Sequence, residues 1–241
     1  MILRVVAAFG LSLLATTSLT LAQPTDKVVA AYYPPLMIDT SEDRPGYAVE
    51  VLREAARRTG RQVNITFLSF ERAIHTMQRD EATFIPSLFH GKADDHLYNW
   101  VVEIQRAKLQ FSTVTGRIDD LETARAARAI VLEAGTTGDA LLTKLGFTNL
   151  IRTHSPESSA RMLEAGRADA WLLTERLMGQ VWGRLNIATE LTFGKVVHEV
   201  PICLVASPAM PKELLTAYRE AVVSMKADGT LVRLQARYGL Q

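Results

Sequence analysis

Cysteine is almost missing from this chain: Cys203 is the only one in 241 residues, so no internal disulfide can form. Stability must therefore come from ordinary burial. Cys203, inside the apolar stretch 200–206, reads as a small buried hydrophobe rather than a nucleophile. A charge excess is lacking too. The formal net charge is +1, which argues against a nucleic-acid partner, because such surfaces need a basic face. There is no G-x-S-x-G elbow, no Walker loop and no H-E-x-x-H, which removes the signatures of α/β-hydrolases, P-loop NTPases and zinc proteases. Low-complexity tracts and repeats are absent as well.

Long uninterrupted apolar runs are also wanting. The longest candidate follows a short basic start, Met1 to Arg4, and Ser12, Thr16, Thr17, Ser18 and Thr20 break it up. A membrane span needs about 20 apolar residues. With small residues at Thr20 and Ala22, this segment predicts a signal peptide over residues 1–22, cleaved before Gln23, and hence a periplasmic protein. Cys203 lies too far from that point to carry a lipid anchor.

What remains alternates between short β-rich runs and helical patterns. Strands are predicted at 27–31, 63–67, 83–87, 129–133, 168–173 and 200–206. Helices are predicted at 47–59, from the Ser69 cap onward, at 139–145, 156–165, 175–183, 211–227 and 230–238. In the first, Tyr47, Val51, Leu52 and Ala55 share a face and Gly60 is the stop. Such alternation implies an α/β architecture with largely parallel sheets.

Several stretches resemble the family 3 bacterial extracellular solute-binding proteins: Tyr33-Pro34-Pro35-Leu36, Gly46-Tyr47-Ala48-Val49-Glu50, Phe70-Glu71-Arg72-Ala73, Gly135-Thr136-Thr137, Ala165-Gly166-Arg167-Ala168-Asp169-Ala170-Trp171 and Lys226-Ala227-Asp228-Gly229-Thr230-Leu231. Each is common singly; six in order over residues 27–239 are specific. The resemblance implies a two-lobed periplasmic-binding-protein-like fold of type II, with two crossing hinge segments and a ligand clamped between the lobes. Lobe 1 would comprise 24–108 plus 205–241, and lobe 2 109–204. The implied role is capture of a small polar molecule for an ABC permease in the inner membrane, by a monomer, without cofactor, metal or catalysis.

A cleft of this kind needs an aromatic or apolar platform and a few convergent polar groups. Tyr33 matches the family's platform position. Phe70 is either a second aromatic wall or simply part of its helix stripe. Ser87 and Phe89, at the end of the third strand, and Glu133, on the opposite lobe, join the candidate wall. Gly135-Thr136-Thr137, between a strand and a helix, can receive an oxygen of the ligand on free N–H groups and hydroxyls, or Thr136 or Thr137 can simply cap the helix. The departures are informative. Amino-acid binders of the family carry an arginine where this chain has Asp94, and an aspartate where it has Thr174, with Glu175 next to it. Both charged anchors of an α-amino acid are thus missing or reversed, and Arg72 is the candidate substitute partner for an anion unless it is a surface residue. His90, Asp94, Asp95 and His96 match no metal signature and read as a solvated loop. Two other roles stay open: an enzyme resembling cyclohexadienyl dehydratases, with Glu133 or Glu175 as general acid, and a soluble sensor docking on a membrane partner.

Overall fold

The computed structural model describes residues 23–38, 43–79, 81–91 and 95–240. The predicted signal peptide and Asp94 lie outside these residues. The chain runs β1 (Thr25–Ala31), α1 (Tyr47–Arg58), β2 (Gln62–Leu68), α2 (Phe70–Gln78), β3 (Thr83–Phe89), β4 (Asn99–Thr113), α3 (Leu121–Ala126), β5 (Ile130–Glu133) and α4 (Thr137–Lys144). It continues through β6 (Leu150–Thr153), α5 (Pro156–Glu164), β7 (Ala170–Thr174), α6 (Glu175–Arg184), β8 (Thr192–Ala206), α7 (Lys212–Ala227) and α8 (Thr230–Tyr238). None of the described helices is long and apolar enough to cross a membrane.

All strands belong to one sheet in the order β2-β1-β3-β8-β4-β7-β5-β6. Its two ends are parallel, with β1 between β2 and β3, and β5 between β6 and β7. The middle pairings, β3–β8, β8–β4 and β4–β7, are antiparallel. The expected parallel character therefore holds only at the two ends. The reason lies in β4 and β8, each 15 residues long, which run out and back through the middle of the sheet. β4 meets β7 only over Leu109 to Ser112, and β8 meets β3 only from Ile202 to Ala206 and Phe84 to Phe89. Between those stretches, Arg106 to Lys108 pair with Pro201 to Glu199 alone. Two strands thus connect two α/β halves, which defines a two-lobed, periplasmic-binding-protein-like fold.

Both halves bury strands on two faces, as parallel strands flanked by helices must. In β1, Val28 and Ala30 face one core with α1, while Val29 faces a second with Ala73 and Met77 of α2. In β5, Ile130 and Leu132 pack with Leu142 of α4, and Val131 packs on the other side with Leu163 of α5. The predicted α1 stripe is fully inside, with Tyr47, Val51, Leu52 and Ala55 at most 1% exposed. Cys203 is buried at 7%.

The local signals at helix starts are visible in the bonds. Ser69 caps α2 by accepting from Arg72 N–H, and Ser155 caps α5 ahead of Pro156. Gly46, before α1, has φ +115°, and a Cβ there would lie 2.4 Å from the Leu36 carbonyl oxygen. Only glycine fits that approach. It lets the loop after β1 cover the helix start, with Pro35 and Leu36 carbonyls accepting from Tyr47 and Ala48 N–H at 2.9 Å each. Between α7 and α8, Gly229 has φ +76° and Asp228 accepts from Thr230 N–H at 2.9 Å.

Candidate functional site

A cavity of about 360 Å³ opens where the two halves meet. It lies past the C-terminal ends of β1, β3 and β7, the place where open α/β sheets bind ligands. Its near side comes from the loop after β1 (Tyr32, Tyr33, Met37), from α2 (Phe70, Ile74) and from the end of β3 (Ser87, Leu88, Phe89). Its far side comes from the start of α4 (Thr136, Thr137, Gly138) and the end of β7 (Leu172, Leu173, Thr174). Trp100 and Leu109 of β4 and Val200 of β8, on the connecting strands, join the lining.

Backbone bonds set the wall. Tyr33 N–H donates to Met37 O at 2.7 Å and Met37 N–H donates back at 3.0 Å, a bridge that presents the Tyr33 ring next to Phe89, edge to face at 5.6 Å. The Tyr33 phenol is held above its ordinary pKa, first by burial and then by the Glu133 carboxylate. Trp100 is fixed by edge-to-face contacts with His90 at 4.4 Å and Tyr98 at 6.2 Å. Three rings are nevertheless left open to solvent at the site: Tyr32 at 70%, Phe70 at 52% and Tyr33 at 41%.

At the start of α4 the division of labour between the two threonines is resolved. Thr136 is the cap: its Oγ1 accepts from Asp139 N–H at 3.3 Å and donates to Glu133 O at 2.8 Å. Asp139 Oδ2 in turn accepts from Gly135 N–H at 3.0 Å, so a carboxylate of the chain itself already occupies part of this helix start. Thr137 is buried at 9% exposure, and Ser87 at 4%. Within the described residues neither hydroxyl has a hydrogen-bond partner, and both residues line the cavity. Thr174 begins α6 without using its side chain as a cap, which leaves that hydroxyl for the cavity too.

Seven of the ten sequence-predicted residues line this space: Tyr33, Phe70, Ser87, Phe89, Thr136, Thr137 and Thr174. Arg72, Glu133 and Glu175 do not. Arg72 is exposed on α2. Glu133, 8% exposed, is engaged behind the wall, its Oε1 accepting from Ser159 Oγ at 2.6 Å and Trp171 Nε1 at 3.1 Å. Burial holds its carboxyl above the usual range, opposed by those two bonds. Glu175, in the first turn of α6, accepts from Gln110 Nε2 at 3.1 Å. Sequence reasoning missed Tyr32, Tyr98, Trp100, Leu109 and Leu172. Tyr32 could have been suspected from its neighbour, whereas Trp100 and Leu109 belong to a strand the sequence pattern did not disclose. In the described residues no three of His, Cys, Asp and Glu gather as a metal set.

A two-lobed α/β fold with a ligand-sized cavity between its halves defines the class of clamshell binding domains. The chain belongs to the bacterial extracellular solute-binding proteins, family 3, whose family model matches residues 27–241. No curated protein matches by sequence. By structure it is similar to the probable amino-acid ABC transporter extracellular-binding protein ytmK from Bacillus subtilis, at 16% identity and TM-score 0.70, covering 90% of this chain and 99% of that one. The Bordetella pertussis BvgS periplasmic VFT2 domain matches with 19% identity and TM-score 0.70, over 90% of this chain and 94% of that one. The P235GK mutant of ArgBP from T. maritima matches with 17% identity and TM-score 0.67, over 90% of this chain and 96% of that one. At these identities the likeness establishes the fold.

Proposed function

We propose that this chain is an exported binding protein that captures a small molecule between its lobes and presents it to an ABC permease, without chemical turnover. The observation that carries this reading is the cavity itself, which draws on both halves of the sheet and on the two strands that join them. We place the hinge at residues 106–108 and 199–201, where β4 and β8 pair only with each other; lobe 1 then holds β1 to β3, α1, α2, α7 and α8. Bending there moves Thr137 and Thr174 relative to Tyr33 and Phe70, so closure over a ligand expels water and strengthens each polar contact.

The ligand is not an α-amino acid held by the family's usual charges. Thr174 stands where the ammonium-binding aspartate would be, and none of the described lining residues is charged. A thermal-shift panel on residues 23–241 tests both points. A binder is stabilised by its solute as RT ln(1 + [L]/Kd) with no product formed, and small-angle scattering then shows compaction. Large shifts with ordinary L-amino acids overturn the ligand exclusion. Turnover of prephenate or arogenate overturns the non-enzymatic reading. Similarity to a histidine kinase sensor domain, at 16% identity and TM-score 0.69, favours one second reading, a sensor that docks on a membrane kinase; ligand-dependent association with a kinase rather than a permease decides for it.

A further inference from the structure

Resting on the capture reading above, we infer that the cavity takes an uncharged, ring-bearing molecule with one or two hydroxyl or carbonyl groups. Three observations converge on that chemistry. First, rings dominate the wall: Tyr32, Tyr33, Phe70, Phe89, Tyr98 and Trp100 all contribute, and the gaps are filled by aliphatic side chains such as Ile74, Leu109 and Leu172. Flat apolar faces favour a flat apolar guest, because aromatic pairs gain from offset or edge-to-face contact beyond simple burial.

Second, the described lining residues include no Asp, Glu, Lys, Arg or His. Three carboxylates near the wall are spent elsewhere: Glu133 on Ser159 and Trp171, Glu175 on Gln110, and Asp139 on Arg152 at 2.9 Å. Among the described lining residues a charged guest would find no counter-charge for the hydration it loses, which is the expensive case. Third, the wall does offer neutral hydrogen bonds. Ser87 and Thr137 are more than nine-tenths buried, line the cavity, and have no partner within the described residues. Their hydroxyls are not among the buried unpaired atoms of the described residues, so they reach accessible space at the cavity wall and can each offer a bond to a ligand group, one on each lobe. At about 30 Å³ per water, 360 Å³ is the space of about a dozen waters, enough for a one- or two-ring molecule.

The test pairs neutral ring compounds with charged analogues of matching shape. Indole, p-cresol and benzyl alcohol are titrated against L-tryptophan, benzoate and benzylammonium by calorimetry. The expected result is that a neutral member saturates at one site at least tenfold more tightly than its charged counterparts. Phe70→Ala and Thr174→Trp should abolish or weaken that binding more than tenfold. Ser87→Ala should cost about tenfold against a hydroxyl-bearing ring, the scale of one hydrogen bond, and nothing against a ring without a polar group, such as toluene. A charged member binding equally well or better overturns the inference, and benzylammonium winning would mean that the rings form a cation cage. Binding indifferent to Phe70→Ala and Thr174→Trp places the ring site elsewhere and also overturns it. If no ring compound binds but a sugar or amino acid does, and Thr174→Trp blocks it, the ring assignment falls while solute capture stands.

Discussion

Replacing Glu133 separates a ligand-binding role from a structural one, and the bonds give the expected size of the effect. Glu133 Oε1 accepts from the Ser159 hydroxyl and the Trp171 indole, and both donors belong to fully buried residues. Ser159 keeps a second partner in Thr153 at 2.7 Å, whereas Glu133 is the indole's only partner within the described residues. Glu133→Ala strands the indole N–H at about 1–3 kcal/mol and weakens the Ser159 bond by less, so a loss of about 2–4 kcal/mol follows. Glu133→Gln keeps an oxygen where both donors point and should fold far better. The two also differ from wild type in pH dependence. Burial raises the carboxyl's pKa in the folded chain, while in the unfolded chain it titrates near its ordinary 4.5. Between that value and the raised one, the folded state binds more protons, so wild-type stability falls as pH rises through this window. Glutamine does not ionise, so the stability of Glu133→Gln relative to wild type should climb across it. Urea unfolding of all three proteins in steps from about pH 4 to about pH 8 measures this. If Glu133→Gln is as damaging as Glu133→Ala at every pH, or its difference from wild type is flat, the bracing role assigned to Glu133 is wrong.

Other outcomes follow from the same geometry. Thr136→Ala removes the α4 cap and should lower stability by about 1 kcal/mol, whereas Thr137→Ala should spare stability and weaken ligand binding by about 1–2 kcal/mol; equal effects on folding would refute that division of labour. Gly46→Ala forces a Cβ against the Leu36 carbonyl at a φ of +115°. It should cost at least about 1–3 kcal/mol by denaturant melts, and a neutral result would mean the loop yields easily. Asp26, 7% exposed, accepts two bonds from Arg61 at 2.6 and 2.7 Å and one from Tyr218 Oη at 2.6 Å. Asp26→Ala removes the partner of the part-exposed Arg61 and of the buried Tyr218 hydroxyl and should destabilise by about 1–3 kcal/mol, with Arg61→Ala and the double variant showing non-additivity in a thermodynamic cycle.

Most elements of the fold were legible because their signals are local. Ser69, Ser155 and Gly46 mark helix starts by what a side chain, or its absence, does to a few neighbouring N–H and carbonyl groups. The helix stripe at Tyr47, Val51, Leu52 and Ala55 is set by residue spacing and ended up inside. What escaped was β4 and the first half of β8. Bulges around Trp100, Glu103 and Leu109 break the twofold alternation of β4, leaving Val101, Ile104 and Ala107 buried at a spacing that does not read as a strand. The opening of β8, from Thr192 to Glu199, is largely unburied and contains Gly194, so its composition gives no strand signal either.

The candidate site divides in the same way. Sequence alone pointed to Tyr33, Phe70, Ser87, Phe89 and the threonines at the start of α4 as candidates, because a motif carries its position with it, and these line the cavity. Which carboxylates face inward is not a local property: Glu133 turns to Ser159 and Trp171, which lie 26 and 38 residues further along the chain, and only tertiary packing brings them together. The uncharged, ring-lined character of the cavity likewise emerges only when α2, α4, β7 and the two long strands converge. α2, β7 and the two long strands each contribute one or two apolar side chains that, read along the chain, look like ordinary core, while α4 adds threonines and Gly138.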